Sequence, residues 1–134
     1  DVDELLRGEV FVDLYAVVLG ATWPYDLVTD YSSPTGNAKW ARVAPGGASD
    51  GDETHKVWST YWENDKQNQY GYLAGTSMAA PHVTGAVALL LAQGLSPQAA
   101  VQRLLDTADA NVKCGPDSPT CKGRLDVAKA TGAR

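Results

Sequence analysis

The spacing of hydrophobic residues divides this 134-residue chain into a strand-rich first part and a helical second part. Residues 11–22 are rich in β-branched and aromatic side chains, which predicts a buried strand. Shorter extended segments, bounded by Pro, Gly and Asn, are predicted at 27–31, 41–45, 57–62 and 70–75. The stretch 48–69 is otherwise polar, and within it we expect only 57–62 to be ordered, as strand or turn.

A change to helical spacing at Ser77 predicts a helix over residues 77–93, which Gly94 ends in the C′ position. The second half of this helix, residues 86–92, is apolar on nearly every side. Such a pattern is typical of a central helix that is buried, so we expect it to lie in the core and not on the surface.

A second helix is marked by local signals. Ser96 is predicted to cap it and Pro97 occupies its first turn, where a missing N–H costs nothing. A single apolar stripe follows, formed by Val101, Leu104, Leu105 and Ala108. Residues 123–130 then predict a strand or turn followed by one helical turn. Strands followed by such helices indicate an α/β domain with helices packed on a sheet.

Composition and net charge argue against some classes of binding partner. The chain is 44% hydrophobic and 20% charged, with a net charge of −5, so it resembles an ordinary globular domain. The acidic balance argues against nucleic acid and against an anionic membrane surface as partners. The longest apolar run, 86–92, is far shorter than the ~20 residues of a membrane span. The acidic start of the chain lacks the pattern of a signal peptide.

The two cysteines, Cys114 and Cys121, flank a loop rich in Gly, Pro, Asp and Ser. Their spacing does not match a zinc site, because no pair of histidines lies near them. We interpret them as a local disulfide, which predicts a secreted or extracellular protein. Two free thiols on a surface loop are the alternative.

The segment GTSMAAPH at 75–82 places Ser77 where the apolar helix begins. Serine is a common N-cap, so a capping role is one interpretation. A nucleophile is the other, because a helix N-terminus offers unpaired N–H groups that stabilise a developing oxyanion. Gly75 permits an unusual turn before the serine, and Pro81 cannot donate to the carbonyl of Ser77.

This segment, continued as VTGAVALLLAQ, closely resembles the active-serine segment of the subtilisin-like serine proteases, the subtilases. The strings YAVVLGAT, VAPGG, VWSTY, YGYLAG, LSPQAAVQRLLDTA and GRLDVAKA resemble further segments of that family, from about residue 15 to residue 130. The resemblance implies that residues 1–134 are the C-terminal part of a subtilase catalytic domain, with 1–14 a poorly matching lead-in. It also implies a parallel sheet with helices on both faces, of which this chain forms only part.

Carried over by position, the resemblance makes Ser77 the nucleophile of a serine endopeptidase that acts on peptides or proteins. It places Leu73, Ala74, Gly75 and Thr76 along the substrate edge and makes the Ser77 N–H an oxyanion donor. The family's Asp and His motifs, and its Ala-Gly-Asn oxyanion segment, do not occur in this sequence. We therefore expect these groups to come from an upstream N-terminal half, and this chain by itself to be inactive.

No other residue of the chain is assigned to the triad. Asp1, Asp3 and Asp13 do not stand in the family's Asp motif. His82 lies five residues after Ser77, a rotation of roughly 140° around the helix, so we expect a structural role for it. His55 is expected to be a solvated loop histidine.

Two alternative functions and one metal ion are also considered for this chain. The alternative function is an inactive subtilase remnant that serves as a scaffold or binds a partner. An α/β-hydrolase is a third and least favoured hypothesis, since that fold orders its triad Ser, Asp or Glu, His, and no histidine follows His82 in this sequence to complete it. Structural calcium is possible at the acidic loop 49–53, although a solvated loop is the favoured interpretation.

We also expect exposed apolar surface and an unpaired parallel edge on this chain.

Overall fold

The computed structural model describes residues 16–63 and 65–133, except the side chains of residues 66 and 68. The described residues form the strands β1 (Val18–Thr22), β2 (Ala41–Pro45), β3 (Val57–Glu63) and β4 (Lys66–Leu73). They also form the α-helices α1 (Thr76–Ala92), α2 (Pro97–Thr107) and α3 (Val127–Thr131), and a short 3-10 helix covers Glu53–His55.

The strands β1 and β2 form a parallel pair, with Gly20 opposite Val43. Residues 122–125 extend this pair along the outer side of β2, because the Val43 N–H donates to Gly123 and the Leu125 N–H donates to Val43. At the opposite edge no third strand is present among the described residues. There the Ala21 N–H donates to Ser32 Oγ instead, so the predicted open edge is partly closed by a loop.

One hydrophobic cluster joins the sheet to all three helices. Ala21 and Ala44 lie on the same face of the parallel pair and pack with Ala79, Val83 and residues of α2 and α3. Alanines dominate this contact, which lets α1 approach the sheet closely. The predicted α/β class with a parallel sheet and packed helices is therefore confirmed.

The central helix differs from its prediction in one respect. Only a single stripe of α1 is buried, formed by Ala79, Val83, Ala86 and Leu90. Leu89 and Leu91 are 53% and 41% exposed, so the helix is not covered on every side. Their exposure confirms the predicted apolar surface.

Residues 66–69 were wrongly predicted to lack order, whereas the extended segment predicted from residue 70 is confirmed as the rest of β4. β3 and β4 form an antiparallel hairpin in which Trp58 pairs with Tyr72 and Tyr61 pairs with Gln69. Aromatic cross-strand contacts stabilise this hairpin, since the Trp58 ring lies 4.4 Å from that of Tyr72. Most of its side chains face solvent, so the chain shows no alternation of apolar and polar positions there.

Two strand predictions also need correction. The expected strand at 27–31 is reduced to a single bridge between Val28 and Thr22. The strand expected over 11–22 begins at Val18, and its first five residues lie outside the described part of the chain. The second helix agrees with its prediction, with Ser96 Oγ accepting from the Ala99 N–H at the cap.

The predicted disulfide is present between Cys114 and Cys121. Its loop packs against residues 35–38, where the Gly36 N–H donates to Asp117 and the Thr120 hydroxyl donates to Ala38. None of the helices in the described residues is long and apolar enough to cross a membrane.

Candidate active site

Ser77 occupies the second position of α1 and is exposed. The N-cap of this helix is Gly75 and no side chain caps it, so the capping interpretation of Ser77 is wrong. The helix begins at Thr76, one residue before the prediction. Gly75 has φ 155° and ψ 163°, a conformation that residues with a side chain rarely adopt.

Hydrogen bonding at the start of α1 leaves two amides unused by the helix. The Met78 and Ala79 N–H groups both donate to the Gly75 carbonyl, at 2.9 and 3.3 Å. The N–H groups of Thr76 and Ser77 precede them in the first turn, where no carbonyl of the helix is in position to accept a hydrogen bond. Their N–H groups lie at the positive end of the helix dipole, beside an exposed hydroxyl. This arrangement can stabilise negative charge at Ser77.

The segment before Ser77 is hydrogen-bonded to the residue that directly follows β2. The Gly75 N–H donates to the Gly46 carbonyl at 2.9 Å. The Tyr31 hydroxyl in turn donates to the carbonyls of Gly46 and Gly47. Leu73, the last residue of β4, is 41% exposed. The four predicted edge residues thus lie on a segment that runs from a strand into a helix and is tied to the sheet.

Gly46 has no room for a side chain. A Cβ there would lie 2.6 Å from Ala21 Cβ and 2.7 Å from the Gly75 carbonyl oxygen, and both contacts are with rigid groups. We expect Gly46→Ala to displace Gly75 and to lower reaction at Ser77 about 10-fold or more, since small misplacements are costly. The check is the rate of labelling of the complete protein by a fluorophosphonate. Gly85→Ala is the control, because nothing lies within 4 Å of its added Cβ. Equal rates in both variants would show that this contact does not position Ser77.

His82 has the structural role predicted for it. Its Nδ1 lies 2.8 Å from the Met78 carbonyl oxygen, one turn back on the same helix. That contact holds the ring against α1. The helix therefore supplies Ser77 with no base.

His55 differs from its prediction, because it is not simply solvated. Its Nδ1 lies 2.6 Å from Asp50 Oδ2, and its ring meets Trp23 and Tyr25 edge-on at 5.9 and 5.7 Å. The hydrogen bond that His55 donates to the Asp50 carboxylate raises the pKa of His55, and the same bond lowers the pKa of Asp50. The hydrogen bond of His55 is to Asp50 of its own loop, and none joins its ring to Ser77 among the described residues.

The pKa of His55 is expected to fall when Asp50 loses its charge. In Asp50→Asn the hydrogen bond to a carboxylate disappears, and the imidazolium loses the group that stabilises it. The measurement is an NMR titration of the His55 ring. Asp106→Asn on α2 is the control and leaves the titration unchanged.

The same pair makes stability depend on pH in a defined window. Since the folded pKa of His55 is raised, its contribution is complete below the unfolded value and is lost as pH rises through the folded value. The Asp50 contribution is lost as pH falls through its lowered folded pKa. The pair therefore stabilises most between these limits, at mildly acidic pH. A titration of His55 unaffected by Asp50→Asn would contradict this coupling.

The acidic loop 49–53 uses its carboxylates internally. Asp52 Oδ1 accepts from the Thr54 N–H at 2.8 Å and from its hydroxyl, while Asp50 binds His55. The described residues contain no group of three acidic, His or Cys side chains placed to hold a metal. Structural calcium in this loop stays a prediction.

A cavity of about 380 Å³ separates the hairpin from the first turns of α1. Its lining includes Val57, Tyr61, Leu73, Met78, Pro81 and His82. Met78 directly follows Ser77 in the sequence, whereas Ser77 itself is not among the residues that line the cavity. The sequence did not reveal it, because it depends on how a polar hairpin folds back toward the helix.

A family model described as "Subtilase family" matches residues 14–128. The chain belongs to the subtilase family. The match includes both sheet strands, the hairpin and the helix that carries Ser77. The resemblance carried by the GTSMAAPH segment is therefore confirmed.

Curated subtilases align with this chain over short segments. It is 50% identical over 42 residues to a thermophilic serine proteinase of Bacillus sp. (strain AK1), covering 31% of this chain and 10% of that protein. It is 43% identical over 51 residues to the subtilisin-like serine protease Pen ch 13 of Penicillium rubens, covering 37% and 13% respectively.

Solved protease structures share the fold over most of this chain. A protease from Pseudoalteromonas arctica PAMC 21717 gives a TM-score of 0.73 at 29% identity, covering 88% of this chain and 35% of its own. The epidermin leader peptide processing serine protease of Staphylococcus aureus, as an S393A mutant, gives 0.73 at 25% identity, with coverages of 92% and 32%. This chain thus spans about a third of the length of these relatives.

Proposed function

We propose that this subtilase chain contributes the nucleophile, Ser77, to a serine endopeptidase that cleaves peptides or proteins. The observation that carries the proposal is the start of α1. There an exposed serine lies beside N–H groups that the helix does not use, on a segment tied to the sheet through Gly46. Subtilase membership supports the reaction class.

In the proposed reaction, Ser77 Oγ attacks the carbonyl carbon of the scissile bond, and its proton passes to an imidazole. The negative charge that develops on the carbonyl oxygen is stabilised by the Ser77 N–H and the helix dipole. The imidazole then protonates the leaving amine, which departs and leaves an ester on Ser77. Water hydrolyses this ester and regenerates the hydroxyl.

The imidazole, its partner carboxylate and a second oxyanion donor are assigned to an upstream segment of the complete protein. Within the described residues, the hydrogen bonds of His82 and His55 go to Met78 and Asp50, and none joins either ring to Ser77, so neither histidine is assigned as the base. Residues 1–134 alone are therefore proposed to be inactive. The disulfide supports an extracellular location, since such bonds persist in oxidising compartments.

The experiment is active-site labelling of the complete protein with a fluorophosphonate, followed by mass mapping of the labelled peptide. Label on Ser77 in the complete protein, and none on residues 1–134 alone, is the expected result. Adding the upstream segment to the chain in trans should restore the label.

The same experiment separates this proposal from the alternative, an inactive remnant with a scaffolding role. The bonding of both histidines elsewhere is the observation that favours the alternative. A correctly folded complete protein that shows no label at Ser77 would establish it.

A further inference from the structure

The Cys114–Cys121 disulfide borders a cavity of about 350 Å³ that is separate from the candidate active site. Both cysteines line the cavity and are only half-buried. Lys113 precedes Cys114 and Lys122 follows Cys121, and both lysines also line the cavity. No acidic side chain lies among the described residues that form its walls.

A lining with two lysines and no acidic side chain favours thiol–disulfide exchange with an anionic thiol. Exchange begins when a thiolate attacks one sulfur, and it is faster when the departing sulfur is stabilised as a thiolate. Nearby lysines provide that stabilisation. They also attract a reagent that carries carboxylates, even though the chain as a whole has a net charge of −5.

We propose that this cavity is a thiol–disulfide exchange site for a low-molecular-mass thiol that carries a net negative charge. The inference does not depend on the proposed protease activity. The incoming thiolate forms a bond to the sulfur of Cys114 or Cys121, the Cys114–Cys121 bond breaks, and the other cysteine leaves as a thiolate. A second molecule of the thiol resolves the mixed disulfide, so that two thiols are oxidised to one disulfide and the protein disulfide is reduced to two thiols.

The exchange has a defined structural consequence. The loop that the disulfide closes anchors residues 35–38, which lead into β2. The buried Thr35 N–H donates to Ser118 Oγ at 2.9 Å, and the Gly36 N–H donates to the Asp117 carbonyl at 3.0 Å. Reduction releases the ends of this loop from one another and so weakens its hold on both amides.

The test uses the complete protein with reduced glutathione, which is anionic, and cysteamine, which is cationic. Mass spectrometry follows the mixed disulfides at Cys114 and Cys121. The ratio of the two rate constants is compared between protein variants, because the intrinsic reactivity of each thiol then cancels. We expect the Lys113→Gln/Lys122→Gln protein to lower the glutathione-to-cysteamine ratio about 5-fold, as expected for two nearby charges at the surface. Lys129→Gln on α3 is the matched control and leaves the ratio unchanged.

A ratio that is the same in all three proteins overturns the assignment of an anionic thiol. Absence of any mixed disulfide at these cysteines overturns the site itself. Hydrogen exchange provides an independent readout, with the Thr35 and Gly36 amides expected to exchange about 10-fold faster after reduction. Unchanged exchange after complete reduction overturns the link between the disulfide and this segment.

Discussion

Replacing Ser77 by alanine in the complete protein is expected to lower kcat/KM for peptide hydrolysis by about 10⁴-fold or more. Loss of the nucleophile removes the acyl-enzyme route, and the remaining oxyanion contacts provide only a small part of the rate. KM should change little, because the backbone groups of the Leu73–Thr76 segment stay in place. Steady-state kinetics with a peptide substrate separate these two effects.

Ser33→Ala is the matched control for this substitution. Ser33 is also exposed and lies in the loop between β1 and β2, so its loss removes a similar hydroxyl without touching α1. Its kinetics should equal those of the wild-type protein. A Ser77→Ala protein whose kcat is within about tenfold of wild type would contradict the nucleophilic role.

Features with local causes could be predicted from the sequence. The second helix follows from Ser96 at its cap and Pro97 at its first position, signals that act over three or four residues. The start of α1 was misplaced by one residue because a glycine, Gly75, provides the N-cap without a side-chain bond. Nothing in the residue type distinguishes such a cap from an ordinary turn.

The hairpin could not be predicted in full, for a different reason. Its second strand contains residues 66–69, which are polar in type, and Gln67 is exposed. Hydrophobic periodicity reports on burial, so a solvated ribbon leaves little trace in it. The aromatic pairs that stabilise the hairpin, such as Trp58 with Tyr72, join residues that lie 14 positions apart in the sequence.

The candidate site combines local and distant determinants. Ser77 was identified from its own segment, whereas the support from Gly46 depends on a contact between residues that are 29 positions apart. The interpretation of His55 as a solvated histidine failed for the same reason, since Trp23 and Tyr25 approach it from another loop. Distances of this kind are set by the packing of the sheet against α1, which single-residue patterns do not encode.

Arg42 is the most unexpected residue of the sheet. It lies in β2 between Ala41 and Val43, is 1% exposed, and neither its Nη1 nor its Nη2 has a hydrogen-bond partner among the described residues. Desolvation lowers the pKa of its guanidinium to about 10. A charged residue among the apolar residues of a predicted strand is the sequence signal that could have revealed this burial. A buried strand has no exposed face on which such a side chain could lie.

Arg42→Met is therefore expected to stabilise the complete protein. A pKa lowered to about 10 from the usual arginine range corresponds to a cost of about 3 kcal/mol for keeping the guanidinium charged in the folded state. This cost is fully present below pH 10 and is relieved as pH rises toward the unfolded pKa, so it acts in full near neutrality. Methionine has no charge and can fill much of the same space.

The free energy of unfolding, measured in denaturant at pH 7, should rise by about 2–3 kcal/mol in Arg42→Met. Its exposed counterpart, Arg103→Met on α2, should change it by no more than about 0.5 kcal/mol, as is usual for surface substitutions. A loss of stability in Arg42→Met would instead mean that the complete protein places a carboxylate against this guanidinium. Breaking a buried ion pair would then account for the sign, because it leaves the partner charge uncompensated.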